Sequence, residues 1–143
     1  MSQYINPEEL KTHAYDEEIK AIVREDETIA LACIDMAMEL AESKLSKHYD
    51  METEFAKVKG ETSDTRNALL VKIIKDIAIW ELIGLANPSI DYEDKKFRYQ
   101  ESINWLTAVY KGMPANLPKY PETMEDSSTS FTYKSNPKRE NRY

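Results

Sequence analysis

The chain has 143 residues and a mass of 16.6 kDa, enough for one domain with a sizeable core and no help from metals or disulfides. Its 19 Lys and Arg against 26 Asp and Glu give a formal net charge of −7, and its single Cys excludes an intramolecular disulfide. A globally basic surface for nonspecific nucleic-acid binding is excluded, and 41% hydrophobic residues with only 3 Gly point to a helical domain, away from a turn-rich sheet or a glycine-looped nucleotide fold.

No run approaches the roughly 18 apolar residues that cross a bilayer. The opening residues lack the basic, apolar and small-residue order of a secretory signal, so a cytosol-like compartment is the expectation, and the lone thiol of Cys33 agrees with it.

Pro7 suits the first turn of a short helix capped by Asn6 and ending near Lys11 or Thr12, with Glu8 and Glu9 favourable against its dipole. A second short segment, Asp16 to Val23, sets Ile19, Ile22 and Val23 on one side. The first long helix is expected from Asp26 to His48. Ile29, Cys33, Met36 and Leu40 form one stripe on it, and Ile34, Ala37, Ala41 and Leu45 an adjacent one.

Residues 50–63 lose the helical period, with a turn at Gly60, and read as a long connection tethered by Phe55 and Val58. A second long helix is expected from Ser63 or Asp64 to a stop at Asn87 and Pro88. Its apolar face holds Leu70, Ile73, Ile74, Ile77, Ala78, Ile79, Leu82 and Leu85, with Trp80 adding area. The last long helix starts between Ser89 and Tyr92 and ends at Lys111 and Gly112. Tyr99, Ile103, Leu106 and Tyr110 recur along it, widened by Trp105 and Val109.

Pro114, Pro118 and Pro121 then break the pattern, and the chain is expected to leave the bundle in extended form. The predicted architecture is therefore all-α: a compact bundle of three long helices, one or two short N-terminal helices and an extended C-terminal tail. A helical domain over 1–118 and a polar tail over 119–143 follow.

Chemistry-bearing residues are sparse. His13 and His48 belong to no recognisable metal-ligand spacing, His48 having the simpler role of a dipole partner near a helix end. Glu8, Glu9 and the run Asp16-Glu17-Glu18 read as ordinary features of helix starts, so no catalytic, cofactor-binding or metal-binding residue is assigned. Asp76 interrupts the richest apolar face. Lys72 lies one turn before it, and Arg98 of the last helix is a second candidate for structural ion pairing.

Lys95, Lys96 and Arg98 form a compact basic patch interleaved with Phe97 and Tyr99, diluted by Asp91, Glu93 and Asp94 just upstream. The simpler reading is a mixed-charge helix face with its aromatics turned inward. Lys138, Arg139 and Arg142 form a second basic point beside Tyr143. Nine Tyr are present, and Tyr4, Tyr15, Tyr49, Tyr120, Tyr133 and Tyr143 fall outside the clearest stripes, where they suit protein contact. Candidate contact residues are Phe55, Val58, Tyr120, Phe131, Tyr133 and Tyr143.

The order of the motifs says more than any one of them. The chain opens on Tyr4-Ile5-Asn6-Pro7-Glu8-Glu9-Leu10, continues through the block Ile34 to Leu45 into His48-Tyr49, then Ile74 to Leu82 and Arg98 to Leu106, and closes on Lys111-Gly112. Across residues 4 to 118 it resembles the small helical head–tail connector proteins of Mu-like tailed bacteriophages. It departs from them in lacking Pro within residues 50–63 and in its longer, more polar tail.

The resemblance implies a non-enzymatic subunit without cofactors, with no membrane association, working in the virion neck and residing in the bacterial cytoplasm before assembly. It implies self-assembly into a closed ring of about twelve copies, set between the portal protein and tail or stopper proteins. DNA would pass through the channel without sequence-specific binding, and an acidic lumen would let it slide. Residues 50–63 and the tail after Gly112 would make the inter-subunit or portal contacts. Two other readings fit the composition: a small intracellular adaptor domain that binds a peptide or protein partner, and a DNA-binding packaging accessory that uses Lys95, Lys96 and Arg98.

Overall fold

The computed structural model describes residues 4–14, 17–86 and 92–121. Six helices follow one another there: α1 Pro7–Ala14, α2 Glu17–Glu25, α3 Glu27–Leu45, α4 Met51–Phe55, α5 Ala68–Ala86 and α6 Tyr92–Tyr110. The protein is an all-α bundle built on the three long helices α3, α5 and α6.

The apolar character of α5 places it at the centre. Leu70, Ile74, Ile77, Ala78 and Leu82 are inaccessible to solvent or nearly so, and Val71, Ile73, Ile79 and Ile83 are buried beside them. A helix apolar on so many sides needs partners on several sides, and α3, α6, α1 and α2 all pack against it. From α3 come Ala30, Cys33, Ile34, Ala37, Ala41 and Leu45. The three alanines are thin, which lets the α3 and α5 backbones approach closely. Leu106 and Val109 complete the core from α6, where Tyr99 stacks on Trp80 with ring centroids 5.6 Å apart.

Side chains set the helix starts. The Asn6 N–H donates to the Glu9 carboxylate, half of a capping box at α1. The Asp26 carboxylate accepts the N–H groups of Thr28 and Ile29 at α3, and Asp50 that of Thr53 at α4. Helix α5 starts at Ala68, later than the sequence reading of Ser63 or Asp64. Asp64 is occupied by Arg66, and Asn67 caps the helix instead, its side-chain oxygen accepting the Leu70 N–H.

Several other expectations change. Helix α1 reaches Ala14, and α3 stops at Leu45, so His48 lies in the turn that follows. The connection after α3 contains the short helix α4. On α3 the stripe through Ile34 and Leu45 is the more deeply buried; of the other, Cys33 is buried and Ile29 and Leu40 pack partly buried against the core, while Met36 is 42% exposed. Leu85 is exposed because it lies in the last turn of α5. Phe97 points outward at 63% exposure, so α6 does not turn all its aromatics in. Tyr4 and Tyr49, read as surface residues, are buried.

The largest departure follows Gly112. This residue ends α6 at φ +126°, a conformation open to glycine and costly for other residues. The chain then folds back instead of leaving. The Ala115 N–H donates to the Tyr49 hydroxyl, the Asn67 amide to the Asn116 carbonyl, and the Asp50 N–H to the Pro118 carbonyl. The Tyr120 hydroxyl reaches the Ser46 carbonyl, and Leu117 is buried beneath. Proline removes a donor but keeps its carbonyl, and Pro118 is held through that carbonyl, while Ala115 and Tyr120 hold the strap as donors. Beyond residue 121 the expected tail, with Phe131, Tyr133, Tyr143 and the basic point Lys138, Arg139 and Arg142, lies outside the described residues, as do Tyr15 and the side chain of His13.

Two substitutions separate core from rim on the same helix. Ile77→Ala should lower unfolding free energy by about 2–5 kcal/mol through loss of buried surface and a residual cavity, whereas Leu85→Ala should stay within about 0.5 kcal/mol, both measured by urea titration of the helical signal.

Candidate functional site

The most concentrated polar chemistry lies where the N-terminal segment, the α4–α5 connection and the start of α5 meet. Arg66, directly before α5, is buried together with Glu9 and Glu54. Its Nε donates to Asp64 Oδ1 at 2.9 Å, Nη1 to the Tyr4 carbonyl at 2.6 Å and to Glu9 Oε2 at 3.1 Å, and Nη2 to Glu9 Oε1 at 2.8 Å and Asp64 Oδ2 at 2.7 Å. All five donors of the guanidinium are thereby occupied. The two-point grip on Glu9 is the arrangement that makes a buried arginine–carboxylate pair specific in geometry.

A second buried carboxylate lies alongside. Glu54 accepts the Tyr4 hydroxyl at 2.5 Å, the Asn67 N–H at 2.8 Å and the Lys57 ammonium at 2.9 Å. The Tyr4 ring meets Phe55 edge-on at 5.0 Å and lies under the Arg66 guanidinium. Burial disfavours charge on both Glu9 and Glu54. Hydrogen bonds from Arg66 and the Asn6 N–H outweigh it at Glu9, and those from Tyr4, Asn67 and Lys57 at Glu54, so both carboxyls lie below their usual range. Asp64 is lowered by its bonds from Arg66. Burial and the contact with Glu54 push the Tyr4 hydroxyl upward.

Beside this cluster opens a recess of about 340 Å³ walled by Glu9, Lys59, Asp64, Arg66, Val71 and Lys75. Lys75 is half-buried. Burial pulls its ammonium below the ordinary lysine range, and the attraction of Glu9 is opposed by Arg66 and Lys59.

The residues singled out by sequence lie apart from this recess. Phe55 is partly buried against Tyr4, while Val58 is exposed at 44% and Tyr120 at 49%. Asp76 is buried, with Lys72 at 2.9 Å and Arg98 at 4.0 Å. Of the basic patch, Lys95 lies 3.8 Å and Arg98 3.1 Å from Asp94, which leaves Lys96 and the outward ring of Phe97 as its exposed part. His48 Nε2 lies 3.0 Å from the Tyr110 carbonyl, at the C-terminus of α6, where Lys47 also lies over the Tyr110 ring. Among the described residues, no group of three or more His, Cys, Asp and Glu is placed to hold a metal ion, and no helix is long and apolar enough to cross a membrane.

Sequence reasoning gave no special role to Arg66, Glu54, Lys59 or Lys75, and read Glu9 only as a dipole partner. Arg66 and Glu9 are 57 positions apart, so no local spacing connects them. The available signal was an arginine immediately preceding the most apolar helix of the chain, a place where a cation needs a partner from elsewhere.

No known protein family, no curated protein and no solved structure matches this chain.

Removing the guanidinium strands Glu9 in the interior. Arg66→Ala should therefore cost about 3–5 kcal/mol in urea unfolding. Because Glu9, Glu54 and Asp64 are lowered in the folded state, their contribution is fully present above the ordinary carboxyl range near pH 4 and is lost as pH falls through the folded values. Thermal melts from neutral pH downward should show this acid loss, and Glu54→Gln should reduce its slope while lowering stability at neutral pH.

Proposed function

We propose that this chain is a non-enzymatic structural subunit of a phage or prophage head–tail connector ring, joining the portal to tail or stopper proteins around the channel for DNA. The observation that carries the reading is the ordered set of blocks shared in pattern with Mu-like connectors. The block Ile34 to Leu45 lies in α3, Ile74 to Leu82 in α5 and Arg98 to Leu106 in α6, three helices that pack on one another. The resemblance thus runs through the framework of the domain.

The surface supports the same reading. A subunit of a closed ring meets one neighbour through one face and the next through a different face. Large apolar side chains are exposed on separate elements: Met36 on α3, Leu69 and Leu85 on α5, Phe97 on α6 and Tyr120 on the strap. The net charge of −7 suits a passage that does not hold DNA. In this reading the protein waits in the bacterial cytoplasm and functions in the virion neck.

Light scattering coupled to size exclusion over a concentration series, followed by electron microscopy of the heaviest species, tests the reading. Closed rings of about twelve subunits are the expected result. A chain that stays monomeric throughout overturns a ring that closes by itself and moves the assignment to a peptide-binding adaptor.

A further inference from the structure

The recess beside Arg66 keeps cationic capacity that the domain itself does not use. Both carboxylates on its wall, Glu9 and Asp64, are bonded to Arg66. Lys59 and Lys75 also line it, and neither takes part in an ion pair among the described residues. Lys75 is held half out of water with its charge disfavoured, a condition that an incoming carboxylate relieves. Ala68 and Val71 add apolar surface to its lining.

A surface of the opposite character lies on α3. Asp35, Glu39 and Glu42 are all exposed on its outer side and follow one another by single helical turns. None of the three takes part in an ion pair among the described residues. Met36, 42% exposed, projects from the same side. No residue of α3 lines the recess. The two surfaces are therefore unlike faces of one molecule, one with cations and some apolar lining, the other with carboxylates and an exposed thioether, and neither set takes part in an ion pair among the described residues.

We propose that the Lys59–Lys75 recess of one copy receives the Glu39 and Glu42 carboxylates of the next copy, making this the heterologous contact that propagates around the ring. The proposal rests on the ring reading and names the faces that reading requires. Charge pairing of this kind fixes register and suppresses wrong partners, which a ring needs if its repeated contact is to close. A second copy fits better than nucleic acid. Two lysines make a point of positive charge and not a track along a phosphate backbone, and the net charge of −7 repels that backbone at longer range.

The test uses the full chain and two double variants. The first is Lys59→Glu with Lys75→Gln, glutamine being chosen because a carboxylate at 75 would compete with Glu9 for Arg66. The second is Glu39→Lys with Glu42→Lys. Sedimentation velocity should show each variant alone weakened in self-association by about tenfold or more, with melting temperatures near that of the parent. Mixed in equal amounts the two should assemble again, because the reversed recess meets the reversed α3 and the intact recess meets the intact α3.

If the parent chain forms rings and both variants form them equally well, this contact is overturned while the ring stands. If the variants fail and their mixture does not recover, charge pairing between these faces is overturned. If the parent itself never assembles, the ring reading falls and the contact with it. Fluorescence anisotropy with a labelled DNA duplex supplies the remaining arm: binding by the parent that the Lys59 and Lys75 variant loses would assign the recess to nucleic acid and overturn the proposal.

Discussion

A guanidinium withdrawn from water must have every donor satisfied, and the N-terminal end of this fold is organised around that demand at Arg66. Its five N–H groups reach the backbone of the N-terminal segment at Tyr4, the α1 carboxylate of Glu9 and the Asp64 side chain just before α5. Asp64 is a local partner, but Tyr4 and Glu9 lie 62 and 57 positions away, so the cation can be buried only when the N-terminal segment has arrived. The neighbouring Glu54 makes the same demand with opposite sign and is met by Tyr4, Lys57 and Asn67. Buried polar groups of this kind add less to net stability than to uniqueness of arrangement. Here the arrangement they specify is the seating of α1 and α4 against the start of α5, which in turn shapes the recess at Lys59 and Lys75.

The bundle below is governed by a different constraint, the burial of a helix that is apolar on almost every side. Because α5 has no wide polar face, α3, α6 and the two short helices must surround it, and their own polar sides then become the protein surface. The one acidic residue buried within α5, Asp76, is met by Lys72 from its own helix and faced by Arg98 from α6. On α3 the outer side presents Asp35, Glu39 and Glu42.

How much of this was legible in the sequence depended on how local the determining interaction was. The three long helices, the buried faces of α5 and α6 and the glycine stop at Gly112 are set within a few residues of themselves, and their signals could be read directly. Met36 and Leu85 were misplaced because two adjacent apolar stripes, or one long one, do not reveal which part meets a partner. Tyr4 and Tyr49 were misplaced for another reason: each depends on a partner far along the chain, Glu54 and Ala115. The α4 helix was hidden because it has only five residues, too few for a period to register. The recess was invisible since Glu9, Lys59 and Lys75 share no spacing.

The strap over residues 113–120 makes its own contacts conditional on the rest of the bundle. Its bonds from Ala115 to Tyr49 and from Tyr120 to Ser46 join positions 66 and 74 residues apart, spanning the whole of α5 and α6. Such contacts carry a loop-closure cost that falls once the intervening helices have docked, so the strap depends on that docking. Its closure then marks completion: a chain whose α6 is mispacked cannot bring Pro118 to Asp50. Protection of the Asp50 amide from exchange with solvent therefore reports the closed strap, separately from the helices.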